Sequence, residues 1–178
     1  MPRLFTGLEI PPEVGAALAL FRGRLPGARW VEPSDYHITL RFLGDVDDEL
    51  AEALHAGLVE ARPREPLALT LEGLAVFGGS RPRSVHAAVA ASEALDDLQA
   101  EHERLARRAG AEPEPRKFTP HVTLARLNRE ASAEAVAQYL SEAGIFAPLR
   151  FMATRVALFS ARASRGGGPY ILEAAYPL

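Results

Sequence analysis

Cysteine is absent from the 178 residues, which removes disulfides, thiolate nucleophiles and cysteine metal sites together. Apolar residues never run to the roughly 18 that a membrane helix needs, and no basic-then-apolar leader opens the chain, so a cytoplasmic protein with no membrane partner is expected. A basic excess is missing too. The net charge of −3 argues against a protein that tracks long nucleic acid, which draws on many phosphate contacts. A short or terminal nucleic acid, or a small anion, needs only a local cluster of donors, and Arg41, Arg116, Lys117 and Arg126 could supply one. Lys117 is the only lysine. The remaining composition, 48% hydrophobic and 24% charged, is ordinary for a globular chain that buries roughly 70% of its unfolded surface. One domain over 1–178, built of two closely packed lobes and acting as a monomer, is the expectation.

Against this background one stretch stands out. Tyr36 to Gly44 reads as a short buried strand, yet it carries His37 and Thr39 where a structural strand would carry apolar residues. Alternation puts His37, Thr39 and Arg41 on one face and Ile38, Leu40 and Phe42 on the other, toward a core. The unit returns 84 residues later as His121-Val122-Thr123-Leu124, inside Phe118 to Arg126. Two polar pairs in two apolar strands each need partners, and a shared ligand in a cleft between the strands would supply them.

The other elements are read from periodicity and caps. A strand is expected from Arg3 to Ile10, then a helix opened by Pro11-Pro12-Glu13, with Val14, Leu18, Phe21 and Leu25 as its stripe and Pro26-Gly27 as its end. Asp45 or Asp47 caps a second helix through about Ala61. Leu67 begins a strand running toward Phe77, and the turn Gly78 to Pro82 returns it as Ser84 to Ala90. Ser92 caps a helix with Leu95, Leu98, His102 and Leu105 on one stripe, ending near Gly110. Ser132 to Ala143 is a fourth helix; Leu149 to Ser160 and Tyr170 to Tyr176 are strands joined by the loop Arg162 to Pro169. The hairpins and the repeat predict an α+β fold of two pseudo-symmetric lobes, each an antiparallel sheet with helices, around a central cleft. His55, His86 and His102 lack the repeated context and read as structural, His102 at the core edge with its tip bonded to water or a carbonyl.

The pair His37-Ile38-Thr39-Leu40 and His121-Val122-Thr123-Leu124 resembles the twin HxTx signature of the 2H phosphoesterases. Arg3-Leu4-Phe5 before Ile10-Pro11, Arg116 to His121, Leu158-Phe159-Ser160 and Gly168-Pro169-Tyr170 look like one branch, the RNA 2′,3′-cyclic phosphodiesterases, also called 2′-5′ RNA ligases. His86 departs from that pattern. The resemblance implies hydrolysis of RNA or nucleotide 2′,3′-cyclic phosphate ends to 2′-phosphomonoesters, with His37 as proton donor and His121 as proton acceptor. It also nominates Arg126, Phe118 and Tyr170 as substrate-binding.

The residues fit that chemistry. Two imidazoles can remove a proton from water and give one to the leaving ribose oxygen, and the hydroxyls of Thr39 and Thr123 can donate to the nonbridging oxygens. The residues alone leave open which histidine is acid and which is base. Arg41 is also expected to bind substrate: it shares the His37 face under strict alternation, whereas Arg126 falls opposite His121 unless the strand bulges, yet either could reach the phosphate and the resemblance ranks Arg126 first. No cofactor is implied, and two histidines are too few for zinc, so no metal is expected. Two alternatives use the same site: ATP-independent 2′-5′ ligation by the reverse reaction, since no GxxxxGK[ST] loop is present, or a module that holds a phosphate or RNA end without turnover.

Overall fold

The structure, a computed structural model, describes residues 1–161 and 168–178. Among them the chain runs β1 (Arg3–Glu9), α1 (Pro12–Ala19), β2 (Ala28–Trp30), a 3-10 turn (Pro33–Asp35), β3 (His37–Asp45), α2 (Asp48–Val59), β4 (Leu67–Phe77) and β5 (Ser84–Val89). It continues with α3 (Glu93–Ala109), β6 (His121–Leu127), α4 (Ala133–Glu142), β7 (Leu149–Ala153), β8 (Arg155–Ser160) and β9 (Ile171–Pro177). Three helices start where a short polar side chain takes a free amide of the first turn: Asp47 accepts from Leu50, Ser92 from Leu95 and Ser132 from Ala135.

The α+β class and the antiparallel pairing are as expected. The strands run in the order β7-β4-β5-β6-β3-β1-β8-β9, with β2 added to β6, so the sheets of the two halves are continuous through β3 and β6. Each half has its HxTx strand innermost. The join is narrow. Ile38 faces Val122, both fully buried, and farther along β6 the partner is β2.

Helices cover one face of the sheet. Leu4 and Leu8 of β1, Ile38 and Leu40 of β3, Leu69 and Leu71 of β4 and Val122 and Leu124 of β6 share a core with α1, α2 and α3. A smaller cluster joins Leu25, Val85 and Ala125 to Val136 and Tyr139 of α4. His102 lies within the main core rather than at its edge, and its Nδ1 meets the Thr6 hydroxyl at 2.7 Å instead of water or a carbonyl. Burial holds that ring neutral, its pKa lowered to about 4. His55 likewise pairs its Nδ1 with Tyr176 Oη at 2.7 Å.

Three elements differ from the expected pattern. Helix α1 stops at Ala19 because Leu20, Phe21 and Arg22 make tight i to i−3 bonds and the Phe21 carbonyl accepts from Tyr139 Oη at 2.7 Å. Leu149 to Ser160 is two strands, broken at Thr154, since β7 pairs with β4 and β8 with β1 at opposite ends of the sheet. The three-residue strand β2 lacks any sequence pattern long enough to announce it. Of the loop Arg162 to Pro169, residues 162–167 lie outside the described residues.

Candidate active site

Both histidine strands carry the same irregularity. In β3, Thr6 faces Arg41 and Gly7 faces Thr39, which leaves Leu40 as an extra residue. In β6, Val85 faces Ala125 and His86 faces Thr123, which leaves Leu124 extra. These bulges occupy equivalent places in the two motifs, and each reverses the inside-outside phase of the residues after it.

The reversal decides which side chains reach the open face. Arg126 is turned onto the face of His121 and Thr123, where strict alternation would exclude it. Arg41 goes the other way. It is buried on the helix side, its Nε on the Glu103 carboxylate and its terminal nitrogens on the carbonyls of Phe42 and Glu112. With its donors so occupied, Arg41 ties β3 to α3 and to the connector before β6 rather than offering them to a ligand. Phe42, expected in the core, takes the open place and is 39% exposed.

The two imidazoles are oriented by one device used twice. His37 Nδ1 donates to the Asp35 carbonyl at 2.9 Å, and His121 Nδ1 donates to the Thr119 carbonyl at 2.7 Å. A carbonyl only accepts, so the proton of each neutral ring sits on Nδ1 and Nε2 is left as the basic atom. Thr39 Oγ1 stands 3.0 Å from His37 Nε2. The antiparallel pairing of Ile38 with Val122 brings His37 toward Thr123 and Thr39 toward His121. Asp35 also accepts from the Tyr170 amide at 3.1 Å, which fastens the start of the last strand beside His37.

The surroundings of the two rings differ. His37 lies among rings: Phe5 at 4.7 Å, Tyr170 edge-on at 5.0 Å and Phe159 at 5.8 Å between centroids. Burial, with smaller contributions from the charges of His121 and Arg126, lowers its pKa to about 4, against the opposing bond to Asp35. His121 meets Phe77 at 4.9 Å and His86 at 5.0 Å, and its pKa is lowered chiefly by burial and then by Arg126. His86 stacks on Phe77 at 4.1 Å, has its Nδ1 buried without a partner, and is lowered to about 4 by burial and by His121.

A cavity of about 510 Å³ opens against this face, with Thr39, Phe42, Phe118, His121 and Arg126 in its wall. Thus Phe118 and Arg126 stand with one histidine and Tyr170 with the other, while Arg41, though it lines part of the cavity, has its guanidinium held by Glu103 and two carbonyls. His86, read as structural, is a neighbour of His121. Pairing β5 to β6 would have revealed it, because His86 lies opposite Thr123. Among the described residues no group of three or more His, Asp or Glu is gathered as a metal would require.

Comparison with known proteins agrees with this fold. The family model of the 2′-5′ RNA ligase superfamily matches residues 10–165. A Bacillus subtilis protein named RNA 2′,3′-cyclic phosphodiesterase is 35% identical over 132 residues, covering 70% of this chain and 71% of its own. A solved structure from Thermus thermophilus superposes with a TM-score of 0.78 at 27% identity, over 99% of this chain and 97% of that one. Escherichia coli LigT, in its complex with 3′-AMP, shares the fold with a TM-score of 0.78 at 24% identity, over 100% of this chain and 99% of that one. Twin HxTx strands meeting in the middle of one sheet, a family match across most of the chain and a relative at this identity lead to one assignment: the chain belongs to the 2′-5′ RNA ligase superfamily.

Proposed function

We propose that the chain is an RNA 2′,3′-cyclic phosphodiesterase that opens the cyclic phosphate at an RNA or nucleotide end to a 2′-phosphomonoester. The observation that carries this reading is the presentation of two imidazoles on one open face, each with Nδ1 fixed to a carbonyl and Nε2 left as the basic atom, that of His37 within 3.0 Å of the Thr39 hydroxyl. The name of the Bacillus subtilis relative supports it.

In this reading His121 Nε2 takes a proton from water as its oxygen bonds to phosphorus. The phosphorus to 3′-oxygen bond breaks, and His37 Nε2 gives its proton to the leaving 3′-oxygen. Thr39 and Thr123 donate to the nonbridging oxygens, and Arg126 offsets the charge that builds on them. Phe118 and Tyr170 contribute apolar surface to the nucleoside. These residues complete the reaction without a metal.

The test uses a short RNA ending in a 2′,3′-cyclic phosphate, incubated with excess chelator. A 2′-monoester product is expected, abolished by His37→Ala and by His121→Ala while the affinity for the RNA end changes little. Retention of the cyclic end by the unaltered protein overturns the reading, and affinity loss without any turnover to lose would mark a binding module instead.

A further inference from the structure

Opening one cyclic phosphate calls on one phosphoryl-sized anion site, and Arg126, whose charge is felt by both His37 and His121, serves it. The same cavity wall carries further positive charge. Arg116 is held by the Glu114 carboxylate at 2.8 and 3.1 Å, and Arg41 by Glu103, so neither is available. Arg83 and Lys117 are different. Both line the cavity and are exposed, and among the described residues neither side chain has an ion pair or hydrogen bond. Arg83 is nevertheless held in place by its backbone: its amide donates to Phe77 at 2.8 Å and its carbonyl accepts from Leu127 at 2.8 Å, beside the pairing of Ser84 with Arg126. Lys117 precedes Phe118 and Thr119, on the stretch that enters β6.

Unpaired cations beside accessible rings, here the exposed Phe42 and the half-buried Phe118, make the kind of surface that tracks a nucleic acid backbone. We infer that Arg83 and Lys117 hold a second phosphate, the one on the 5′-oxygen of the nucleoside that carries the cyclic phosphate. The inference rests on the phosphodiesterase reading and gives it a substrate class: an end with a phosphate upstream, rather than a bare nucleoside cyclic phosphate. That phosphate is either an internucleotide diester or a 5′-monoester, and the chemistry that binds it is the same.

The experiment compares kcat/KM for adenosine 2′,3′-cyclic phosphate, its 5′-phosphorylated form, and the dinucleotide ApA ending in a 2′,3′-cyclic phosphate. The two-phosphate substrates are expected to exceed the one-phosphate substrate by roughly ten- to hundredfold, the size of a charge-assisted contact. Arg83→Gln and Lys117→Gln are each expected to remove most of that gain and to leave the rate on the one-phosphate substrate unchanged. A gain for the dinucleotide alone, lost in both variants, supports the site with the diester as its ligand. Equal rates on all three substrates, or variants that slow all three alike, overturn the second site.

If none of the three is turned over, the phosphodiesterase reading fails instead, and the second site is then decided by calorimetry. Tighter binding of adenosine 3′,5′-bisphosphate than of adenosine 3′-monophosphate, abolished in both variants, supports it; equal affinities in the unaltered protein refute it.

Discussion

Raising the pH from 7 to 9 is expected to lower kcat/KM on a cyclic phosphate about a hundredfold, and the reason lies in the packing around the two histidines. The proposed mechanism needs one imidazole protonated and the other neutral in the free protein. Both are pushed below the ordinary histidine value of about 6.5, His37 to about 4, because the charged form loses hydration among Phe5, Phe159 and Tyr170. A depressed pKa means that the proton is lost early as pH rises, so at pH 7 only about one free molecule in a thousand has His37 charged. Above the upper break each pH unit costs about a further factor of ten, and both breaks lie below 6.5 as properties of the coupled pair. The assay is initial rates at low substrate concentration from about pH 3.5 to 9, a window that spans both breaks. Replacing Arg126 with Gln removes a cation felt by both rings, so the profile should move to higher pH even as its height falls. Replacing His121 should abolish the acidic limb and leave the residual activity falling with pH. A kcat/KM that is flat or rising between about pH 7 and 8 would refute the argument, whichever histidine is the acid.

Further substitutions, centred on Gly7, His86 and Arg41, test the scaffold. A Cβ at Gly7 would sit 2.7 Å from the Ile38 carbonyl, so Gly7→Ala must push β1 off β3 beside His37; kcat should drop at least about tenfold while the fold survives urea at low concentration, and a fully active variant would show that the strands give way freely. His86→Phe keeps the stack on Phe77 and removes a buried nitrogen that has no partner, so urea unfolding should show a gain of about 1 kcal/mol, whereas His86→Ala should lose roughly 2–4 kcal/mol through the cavity it leaves. Arg41→Met should cost about 2–3 kcal/mol of stability by stranding Glu103, and adding Glu103→Gln should restore part of it; a large rise in KM at unchanged stability would mean that Arg41 touches substrate after all.

Much of this was legible in the sequence. The caps at Asp47, Ser92 and Ser132 mark their helices because an orphan amide needs a short polar acceptor, and the doubled His-x-Thr unit marks the site because apolar strands do not otherwise carry it twice. The two bulges were not legible. Leu40 and Leu124 are apolar residues among apolar residues, and nothing local says that each is the extra one; that depends on the pairing with β1 and β5. One displaced residue in each strand was enough, Leu40 exchanging Arg41 for Phe42 on the open face and Leu124 bringing Arg126 onto it. His86 was missed for a related reason, since its nearness to His121 exists only across a strand pair 35 residues apart in sequence.

The bulges also show how one motif, written twice, can support two different proton transfers. Across each HxTx strand the cross-strand partners occupy matching positions: Gly7 stands opposite Thr39 where His86 stands opposite Thr123, and Phe5 opposite Phe42 where Ser84 stands opposite Arg126. The first half is therefore lined by hydrocarbon rings, whereas the second sets polar and cationic groups, His86, Ser84 and Arg126, beside its own ring Phe77. Packing among hydrocarbon rings, which lowers the pKa of His37 to about 4, makes it a strong acid, while His121 keeps more polar neighbours. A donor to a poor leaving oxygen gains from being strongly acidic, and an acceptor from water gains from being basic, so the surroundings favour His37 as donor and His121 as acceptor. The cost is that the productive protonation state is rare in the empty site. An anionic phosphate entering between the rings, next to Arg126, stabilises the charged imidazole and restores that state when it is needed. Exchanging the environments tests this argument: Phe5→Ser, which makes the His37 side polar, should raise the pKa of His37 in histidine NMR titrations and move the kcat/KM profile toward neutral pH while slowing the maximal rate. An unchanged His37 titration in that variant would remove the ring packing as the source of the asymmetry.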